Sequence, residues 1–265
     1  YVAWYDYLDN KRICDGKNDS MKGSYLGPEF NNNQIEKFLD ERKYKYVKLE
    51  DMELPERIAD LIAKQKVIGW FQGRMEFGPR ALGSRTIIGD ARSPETQKTI
   101  NLKIKYRESF RPFAPSVREE DISEYFDIDR PSPYMLLVAN VVKSKQTKMT
   151  SEEESYFGLK KLNISRSEIP AVTHVDYSAR VQSVNKDINP RYHEMITKFK
   201  EKYGCSVIVN TSFNVRGEPI VCTPEDAYLC FMRTEMDFLI MNILFIIKKE
   251  QTSLNDDSDW QKELS

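Results

Sequence analysis

Apolar positions along the chain follow two spacings, one typical of helices and one typical of buried strands. Ile35, Phe38 and Leu39 recur every three or four positions, which is the spacing of one helix face. Stretches of this kind predict helices over 33–42, 54–64, 189–203 and 223–233. Short apolar runs predict strands at 67–71, 135–139 and 206–209, one long or two short strands over 238–248, and a strand followed by a turn within 172–184. Helices alternating with short buried strands define an α/β domain, although the pattern does not give the strand order.

Some stretches carry no periodic pattern. Residues 72–118 are crowded with Gly, Pro and Arg, and no helix or strand is predicted there. Residues 143–168 are charge-rich, which predicts an excursion or mobile loop. The polar stretch 1–24 opens on aromatic residues that would suit the last strand or helix turn of a preceding domain, and the acidic tail 250–265 is expected to fray.

Composition limits the class of protein. A chain of 265 residues with 40% hydrophobic positions can bury a proper core. A net charge of −1 argues against a dedicated non-specific nucleic-acid coat. The four cysteines form no CxxC pair, and no apolar stretch is long enough to span a bilayer, so we expect a cytoplasmic protein with reduced thiols. The sequence begins at Tyr1 rather than Met, so a fragment of a longer protein is expected.

Positive charge is concentrated in one part of this nearly neutral chain. Residues 69–118 contain ten Lys and Arg against four Asp and Glu. Within them, the stretch 73–85 (GRMEFGPRALGSR) places Arg74, Arg80 and Arg85 among three glycines, a composition typical of a loop that lets a ligand approach the backbone. Guanidinium groups suit phosphate oxygens and stay charged at any working pH. We therefore predict a site for a phosphorylated ligand, the alternative being a solvated surface of ion pairs.

Two further stretches carry candidate ligand groups. Residues 209–219 (VNTSFNVRGEP) directly follow a predicted buried strand, and ligands of open α/β sheets gather at the carboxyl ends of strands. A turn that hydrogen-bonds only to itself is the alternative for these residues. In the stretch 173–180 (THVDYSAR), Arg180 could add a cation to the first cluster or form an ion pair at an edge strand.

Several common chemistries have no motif here. There is no GxxxxGK[ST] phosphate loop, no GxGxxG fingerprint and no GxSxG elbow. The two histidines, His174 and His193, form neither HxxxH nor HExxH, so a zinc site is not expected. His193 is placed on a helix surface, without a chemical role.

The ordered motifs together resemble the carbamoyltransferase family, which includes nodulation-factor and antibiotic O-carbamoyltransferases. The resemblance is to the C-terminal, YrdC-like half of that family and covers about 24–249. It is carried by 69–74 (GWFQGR), 76–83 (EFGPRALG), 110–112 (FRP), 210–214 (NTSFN) and, for the segment between the two halves, 24–30 (SYLGPEF).

This resemblance implies a fold, a domain organisation and a reaction. The fold would be an α/β, YrdC-like open twisted sheet flanked by helices. Residues 1–30 would connect from a missing N-terminal Kae1-like domain, residues 31–249 would form the YrdC-like domain, and residues 250–265 a disordered acidic tail. The YrdC-like half would convert carbamoyl phosphate and ATP, with Mg²⁺, into carbamoyl adenylate. The missing half, with iron and an HxxxH motif, would pass the carbamoyl group to an acceptor hydroxyl.

Residue by residue, the matching motifs place substrate contacts in this chain. Lys105, Arg80 and Arg111 would be catalytic and clamp phosphate, and Asn210 and Ser212 would orient the carbamate or the α-phosphate. The full predicted set for carbamoyl phosphate and ATP is Arg74, Arg80, Lys105, Arg111, Arg180, Asn210 and Ser212. The competing hypotheses are an RNA-binding module, an enzyme that forms threonylcarbamoyl adenylate, and a non-catalytic docking domain.

Overall fold

The wholly apolar runs of the sequence become strands at the centre of one sheet. Residues 1–11, 19–162 and 164–253 are described by a computed structural model. Within these ranges the strands are β1 Val47–Lys48, β2 Ile68–Phe71, β3 Arg85–Asp90, β4 Ala114–Arg118, β5 Leu137–Asn140, β6 Ser178–Val184, β7 Val207–Ser212, β8 Phe238–Met241 and β9 Leu244–Ile247. They form one open sheet in the order β1-β9-β8-β2-β3-β7-β4-β6-β5.

Helices cover both faces of this sheet. The α-helices are α1 Asn32–Glu41, α2 Leu54–Ala63, α3 Pro94–Lys103, α4 Ile122–Tyr125, α5 Ser151–Ser155, α6 Leu159–Leu162, α7 Pro190–Tyr203 and α8 Pro224–Arg233. Trp70 of β2 lies 6.2 Å from Tyr192 of α7. Gly89 of β3 faces the opposite side, where a Cβ atom would come within 2.7 Å of Thr96 on α3. The α/β class and the open sheet flanked by helices are therefore confirmed.

The helix ends follow the expected capping chemistry. The side chain of Asn31 accepts from the backbone amide of Gln34 at the start of α1, and Thr223 caps α8 in the same way. Helix α7 ends at Gly204, whose φ of 73° is in the left-handed region that glycine adopts without strain. The predicted helices 33–42, 54–64, 189–203 and 223–233 are each confirmed to within about a residue at either end.

The directions of the strands bring several loops to one end of the sheet. Strand β3 is antiparallel to β2 and β7, β7 is antiparallel to β4, and β4 is parallel to β6. The carboxyl ends of β2 and β7 therefore lie beside the amino ends of β3, β4 and β6. We call this the site end of the sheet.

The Gly-, Pro- and Arg-rich stretch 72–118 contains three elements that the sequence pattern did not predict. These are β3, α3 and β4. Strand β3 begins with the buried Arg85, and β4 contains Pro115, so neither has the composition of a typical strand. The buried residues of α3 are Thr96, Ile100 and Asn101, and because Ile100 is the one apolar residue among these three, the buried face shows no helical period of apolar positions.

Other predictions are shifted or refined. The strand predicted at 135–139 is observed at Leu137–Asn140, and 238–248 forms two antiparallel strands. The excursion, residues 143–168, contains the short helices α5 and α6, and its two ends are joined by an ion pair of 2.9 Å between Lys145 Nζ and Glu168. Residues 12–18 and the tail from residue 254 lie outside the described residues.

Two single-residue expectations are wrong or refined. His193 is not on the surface of α7: it is 8% exposed, and its Nε2 lies 3.0 Å from a carboxylate oxygen of Glu120. The aromatic opening forms a single turn of π-helix at Ala3–Tyr7. None of the described helices has the length and apolar character needed to cross a bilayer.

Candidate functional site

The topology brings all seven predicted site residues to the site end of the sheet. Arg74 and Arg80 lie in the loop 72–84 between β2 and β3, which we call the Arg80 loop. Lys105 and Arg111 lie in the α3–β4 connection, residues 104–113. Arg180 is the third residue of β6, and Asn210 and Ser212 stand in the last three positions of β7.

A buried carboxylate fixes the conformation of the Arg80 loop. Glu76 is 5% exposed, and its carboxylate accepts hydrogen bonds from the backbone amides of Leu82 and Ser84, each at 2.7 Å. It also accepts from the amide of Arg85 at 3.1 Å. Hydrogen bonds to an ionised acceptor are stronger than neutral ones, so one side chain holds the returning half of the loop.

The carbonyl groups of the same loop are bound from three strands and a preceding segment. Trp70 Nε1 donates to Gly83 O at 2.9 Å, and Gln182 Nε2 donates to Leu82 O at 2.6 Å. Tyr25 Oη donates to Leu82 O at 2.7 Å, and Asn210 Nδ2 donates to Ala81 O at 2.9 Å. The backbone that follows Arg80, residues 81–83, is thus held by side chains of the sheet and of the preceding segment.

Residues 24–28 pair with the outgoing half of the Arg80 loop. Phe77 N donates to Ser24 O at 2.7 Å, Gly27 N to Met75 O at 2.9 Å, and Met75 N to Pro28 O at 2.9 Å. The segment before the first helix is therefore part of the structure that supports Arg80.

Arg80 and Arg180 form a pair of like charges. Burial and the charge of Arg80 lower the pKa of Arg180, so the two guanidinium groups are within electrostatic reach of one another. Within the part of the chain that the structure describes, neither side chain has a hydrogen bond or an ion pair. Two adjacent cations without an acid repel one another, and an anion between them would remove that repulsion.

Arg85, predicted to lie on the loop, is instead an interior residue. It is fully buried in β3, its Nη1 donates to Gln72 O at 2.9 Å, and its guanidinium carbon lies 3.6 Å from the centre of the Phe71 ring. Burial lowers the pKa of Arg85 to about 10. Arg85 therefore supports the loop and is not available to a ligand.

Lys105 lies beneath the end of β7 and is 4% exposed. Its Nζ donates to Ser212 O, to Asn214 O at 2.8 Å and to Asn214 Oδ1 at 2.7 Å. Burial lowers the pKa of the Lys105 ammonium to about 7. The amine is therefore poised to change charge near neutral pH, unlike the arginines around it.

Some of the polar side chains at the end of β7 form hydrogen bonds with one another. Ser212 Oγ donates to Asn214 Oδ1 at 2.7 Å, and Asn214 Nδ2 donates to Glu218 O at 2.7 Å. Asn210 is 1% exposed, and its Nδ2 also donates to Gln182 Oε1 at 2.7 Å. Among the described residues, Asn210 Oδ1 has no hydrogen-bond donor, which leaves a buried acceptor at the site.

A second group of cations occupies the α3–β4 connection. Arg111 is exposed and forms an ion pair of 2.8 Å with Glu108. Burial and the charge of Arg111 lower the pKa of Arg107, whose charge in turn contributes to the lowered pKa of Lys105. The Arg107 side chain itself is anchored on α3, where its Nε donates to Asn101 Oδ1 at 2.7 Å. Arg74 is further out: its Nη1 donates to Gly27 O at 3.1 Å and its Nε lies 3.5 Å from Glu29.

Sequence reasoning missed several residues that build this site. Glu76 is an acid inside a strongly basic stretch, a signal that could have marked it as a structural partner. Gln182 carried no signal of its own, whereas Asn214 belongs to the polar stretch 209–219 that the sequence analysis selected. Within the described ranges, no three His, Cys, Asp or Glu side chains come together as a metal site.

The lowered pKa of Lys105 predicts that anion binding weakens as pH rises. Above a pKa of about 7 the amine loses its proton and its positive charge. We expect the affinity for a polyphosphate probe such as tripolyphosphate to fall by up to about tenfold per pH unit above neutrality, the limit for one linked proton. Calorimetric titrations at several pH values between 6 and 9 would measure the slope. The Lys105→Met variant should lose this slope, and an equal slope in the variant would show that another group titrates.

The fold and the site define an α/β domain with a cationic binding site at one end of an open sheet. Comparison with known proteins gives the family. Residues 59–248 match the family model described as Carbamoyltransferase C-terminus. The match covers well over half of the chain, so this chain belongs to that family, and the resemblance predicted from the motifs is confirmed.

Individual relatives are longer than this chain. The uncharacterized protein sll1178 of Synechocystis sp. is 54% identical over 265 residues, which are 98% of this chain and 43% of that protein. A 3'-hydroxymethylcephem-O-carbamoyltransferase of Amycolatopsis lactamdurans is 34% identical over 186 residues, 70% of this chain and 31% of that protein. The solved structure of full-length HypF in a phosphate- and nucleotide-bound form is 16% identical with a TM-score of 0.45, covering 74% of this chain and 22% of that one. The chain spans less than half the length of each.

Proposed function

We propose that this chain activates a carbamoyl group for O-carbamoyl transfer by forming carbamoyl adenylate from carbamoyl phosphate and ATP. One observation carries the proposal: in a chain of the carbamoyltransferase C-terminus family, Arg80 and Arg180 lie at the same end of the sheet, and neither side chain has a hydrogen bond or an ion pair among the described residues. Two guanidinium groups suit the phosphate of carbamoyl phosphate, because each can form charge-assisted hydrogen bonds worth about 1.5–3 kcal/mol.

The proposed reaction has two steps. Water takes the phosphoryl group of carbamoyl phosphate, which releases carbamate and inorganic phosphate. A carbamate oxygen then attacks the α-phosphorus of ATP, forming the C–O–P bond of carbamoyl adenylate, and pyrophosphate leaves. Negative charge builds on the α-phosphoryl oxygens as the carbamate attacks, and preorganised cations stabilise that charge without reorganisation.

The described residues can be assigned to these steps. Arg80 and Arg180 would hold the phosphate of carbamoyl phosphate, and Lys105 and Arg111 would face the phosphates of ATP. Asn210 Oδ1, a buried acceptor without a donor, would accept from the carbamoyl amide, and Ser212 would orient the same group. Mg²⁺ would arrive with ATP, held by its phosphates, since the described part of the chain has no cluster of three metal-ligating side chains.

Transfer to the acceptor hydroxyl would take place in the longer protein. The chain covers 43% of its relative from Synechocystis, and we propose that a Kae1-like domain with an iron site lies in the remainder. The acceptor would be chosen there. Because ATP and carbamoyl phosphate are products of cellular metabolism, we place the reaction in the cytoplasm.

A product assay tests this proposal. The chain is incubated with ATP, Mg²⁺ and carbamoyl phosphate, and pyrophosphate and carbamoyl-AMP are measured by mass spectrometry. The expected result is both products, and neither when carbamoyl phosphate is omitted. Product formed from bicarbonate and threonine would point to threonylcarbamoyl adenylate instead. If no substrate combination gives product and calorimetry shows no ATP binding, the docking-domain hypothesis replaces the enzyme.

A further inference from the structure

A glutamine that has no part in the proposed reaction lies buried between the Arg80 loop and the end of β7. Gln182 is 2% exposed and is the fifth residue of β6. It follows Arg180 by two positions, so the two side chains lie on the same face of the strand. Buried polar groups are normally hydrogen-bonded, and the partners of this side chain therefore show what it holds in place.

The amide of Gln182 connects the Arg80 loop to β7. Its Nε2 donates to Leu82 O at 2.6 Å. Its Oε1 accepts from Asn210 Nδ2 at 2.7 Å and from Ser116 Oγ at 2.6 Å. One buried side chain is thus bonded both to the backbone of the loop and to the side chain of Asn210.

Backbone carbonyl groups determine the direction of both amides. A carbonyl oxygen can only accept, so Leu82 O requires the NH2 group of Gln182, and the Gln182 oxygen must face Asn210. The NH2 group of Asn210 then donates to two acceptors, Ala81 O and Gln182 Oε1. The reversed amide would place the Asn210 oxygen against both of these oxygens. Asn210 Oδ1, which has no donor among the described residues, is therefore the group left for a ligand.

We propose that Gln182 is a positioning residue that makes the site selective for a carbamoyl group. By accepting from Asn210 Nδ2, it directs Asn210 Oδ1 to the substrate, where that oxygen accepts from the carbamoyl N–H. An acetyl group has the same shape but carries a methyl in place of the NH2, so it would leave a buried acceptor unpaired. The inference deepens the proposed function and rests on it, because Asn210 is assigned there to the carbamoyl amide.

The selectivity between carbamoyl phosphate and acetyl phosphate tests the proposal. Pyrophosphate release by the full 265-residue chain is measured with ATP, Mg²⁺ and each acyl phosphate in turn, which gives a ratio of two kcat/KM values. Gln182→Met retains the length of the side chain without the amide. Gln182→Asn retains an amide that is one methylene too short to bond both Leu82 and Asn210. Gln182→Glu is the conservative variant, because its carboxyl group keeps an acceptor for Asn210.

The matched control is Ser183→Ala in the same strand. Ser183 is 1% exposed and lies on the opposite face of β6, where its Oγ accepts from Ser132 N at 2.8 Å. The replacement leaves a buried amide without this acceptor, so it destabilises β6 without removing a bond to Asn210 or the Arg80 loop. A loss of activity that comes from stability alone lowers turnover of both acyl phosphates by the same factor and leaves the ratio unchanged.

We expect the unaltered chain to prefer carbamoyl phosphate by about tenfold or more, and Gln182→Met and Gln182→Asn to reduce this preference to about threefold or less. The loss should fall on carbamoyl phosphate. Gln182→Glu and Ser183→Ala should keep the preference. If Gln182→Met does not fold, Gln182→Asn decides the same point.

The opposite results separate two failures. An unchanged ratio in Gln182→Asn, or a lost preference in Gln182→Glu, would overturn the inference alone. An unaltered chain that uses both acyl phosphates equally would also overturn it, although adenylate formation would stand. An unaltered chain that releases pyrophosphate with neither would overturn the proposed function and the inference together.

Discussion

Replacing Arg80 with alanine is expected to lower carbamoyl phosphate-dependent pyrophosphate release by about 100-fold or more, the typical effect of removing one preorganised charge-stabilising donor. The loss should be specific to activity. Among the described residues the Arg80 side chain makes no hydrogen bond or ion pair, and its removal relieves its repulsion with Arg180. The melting temperature should therefore stay the same or rise slightly.

The control for this experiment is Arg130→Ala. Arg130 is an exposed arginine paired with its neighbour Asp129 at 2.8 Å, so it matches the charge change without a role at the site. Turnover should be unchanged in this variant. If Arg80→Ala retains turnover within a few fold of the control, Arg80 does not contact the reacting groups and the pair with Arg180 is not the phosphate site.

Replacing Glu76 with alanine is expected to give the largest loss of stability. Three buried backbone amides, those of Leu82, Ser84 and Arg85, would lose their acceptor. Leaving a buried donor unsatisfied costs about 1–3 kcal/mol, so the free energy of unfolding should fall by about 3 kcal/mol or more. For a chain of this size this corresponds to a fall in melting temperature of about 6 °C or more.

Denaturant unfolding of Glu76→Ala beside Glu41→Ala measures this effect. Glu41 is exposed and forms only a 3.8 Å contact with Lys37, so its replacement should change stability by less than about 0.5 kcal/mol. Glu76→Gln retains one acceptor oxygen, so its free energy of unfolding should lie between those of Glu76→Ala and Glu41→Ala. Equal stabilities of Glu76→Ala and Glu41→Ala would show that the Arg80 loop is held by its other contacts alone.

The elements that the sequence predicted are those whose signal is local. The start of helix α8 is marked in the sequence by Thr223, Pro224 and Asp226, which together cap it. Helix α7 is marked at its start by Pro190 and at its end by Gly204. Apolar runs such as 68–71 can only be buried. In each case the residues that form the element also stabilise its boundary, so no tertiary information is needed.

The elements that the sequence did not predict depend on tertiary contacts. Strand β3 accepts a buried arginine because Gln72 O and the ring of Phe71 surround its guanidinium. Gly89 does not form a turn; its lack of a side chain lets α3 pack closely against β3. The residues of the candidate site also divide into those with a local sequence signal and those that depend on tertiary contacts. Its cations could be predicted from their local concentration, whereas Glu76 and Gln182 act on backbone groups that only the fold brings to them.

The three hydrogen bonds that join residues 24–28 to Met75 and Phe77 have a mechanical consequence. They connect residues 24–28 directly to the Arg80 loop. A displacement of the residues before Ser24 must either break these bonds or move the Arg80 loop. The buried hydrogen bonds of Glu76 resist a movement of the loop. Tension on the incoming segment would therefore reach Arg80 before it reached the core of the sheet.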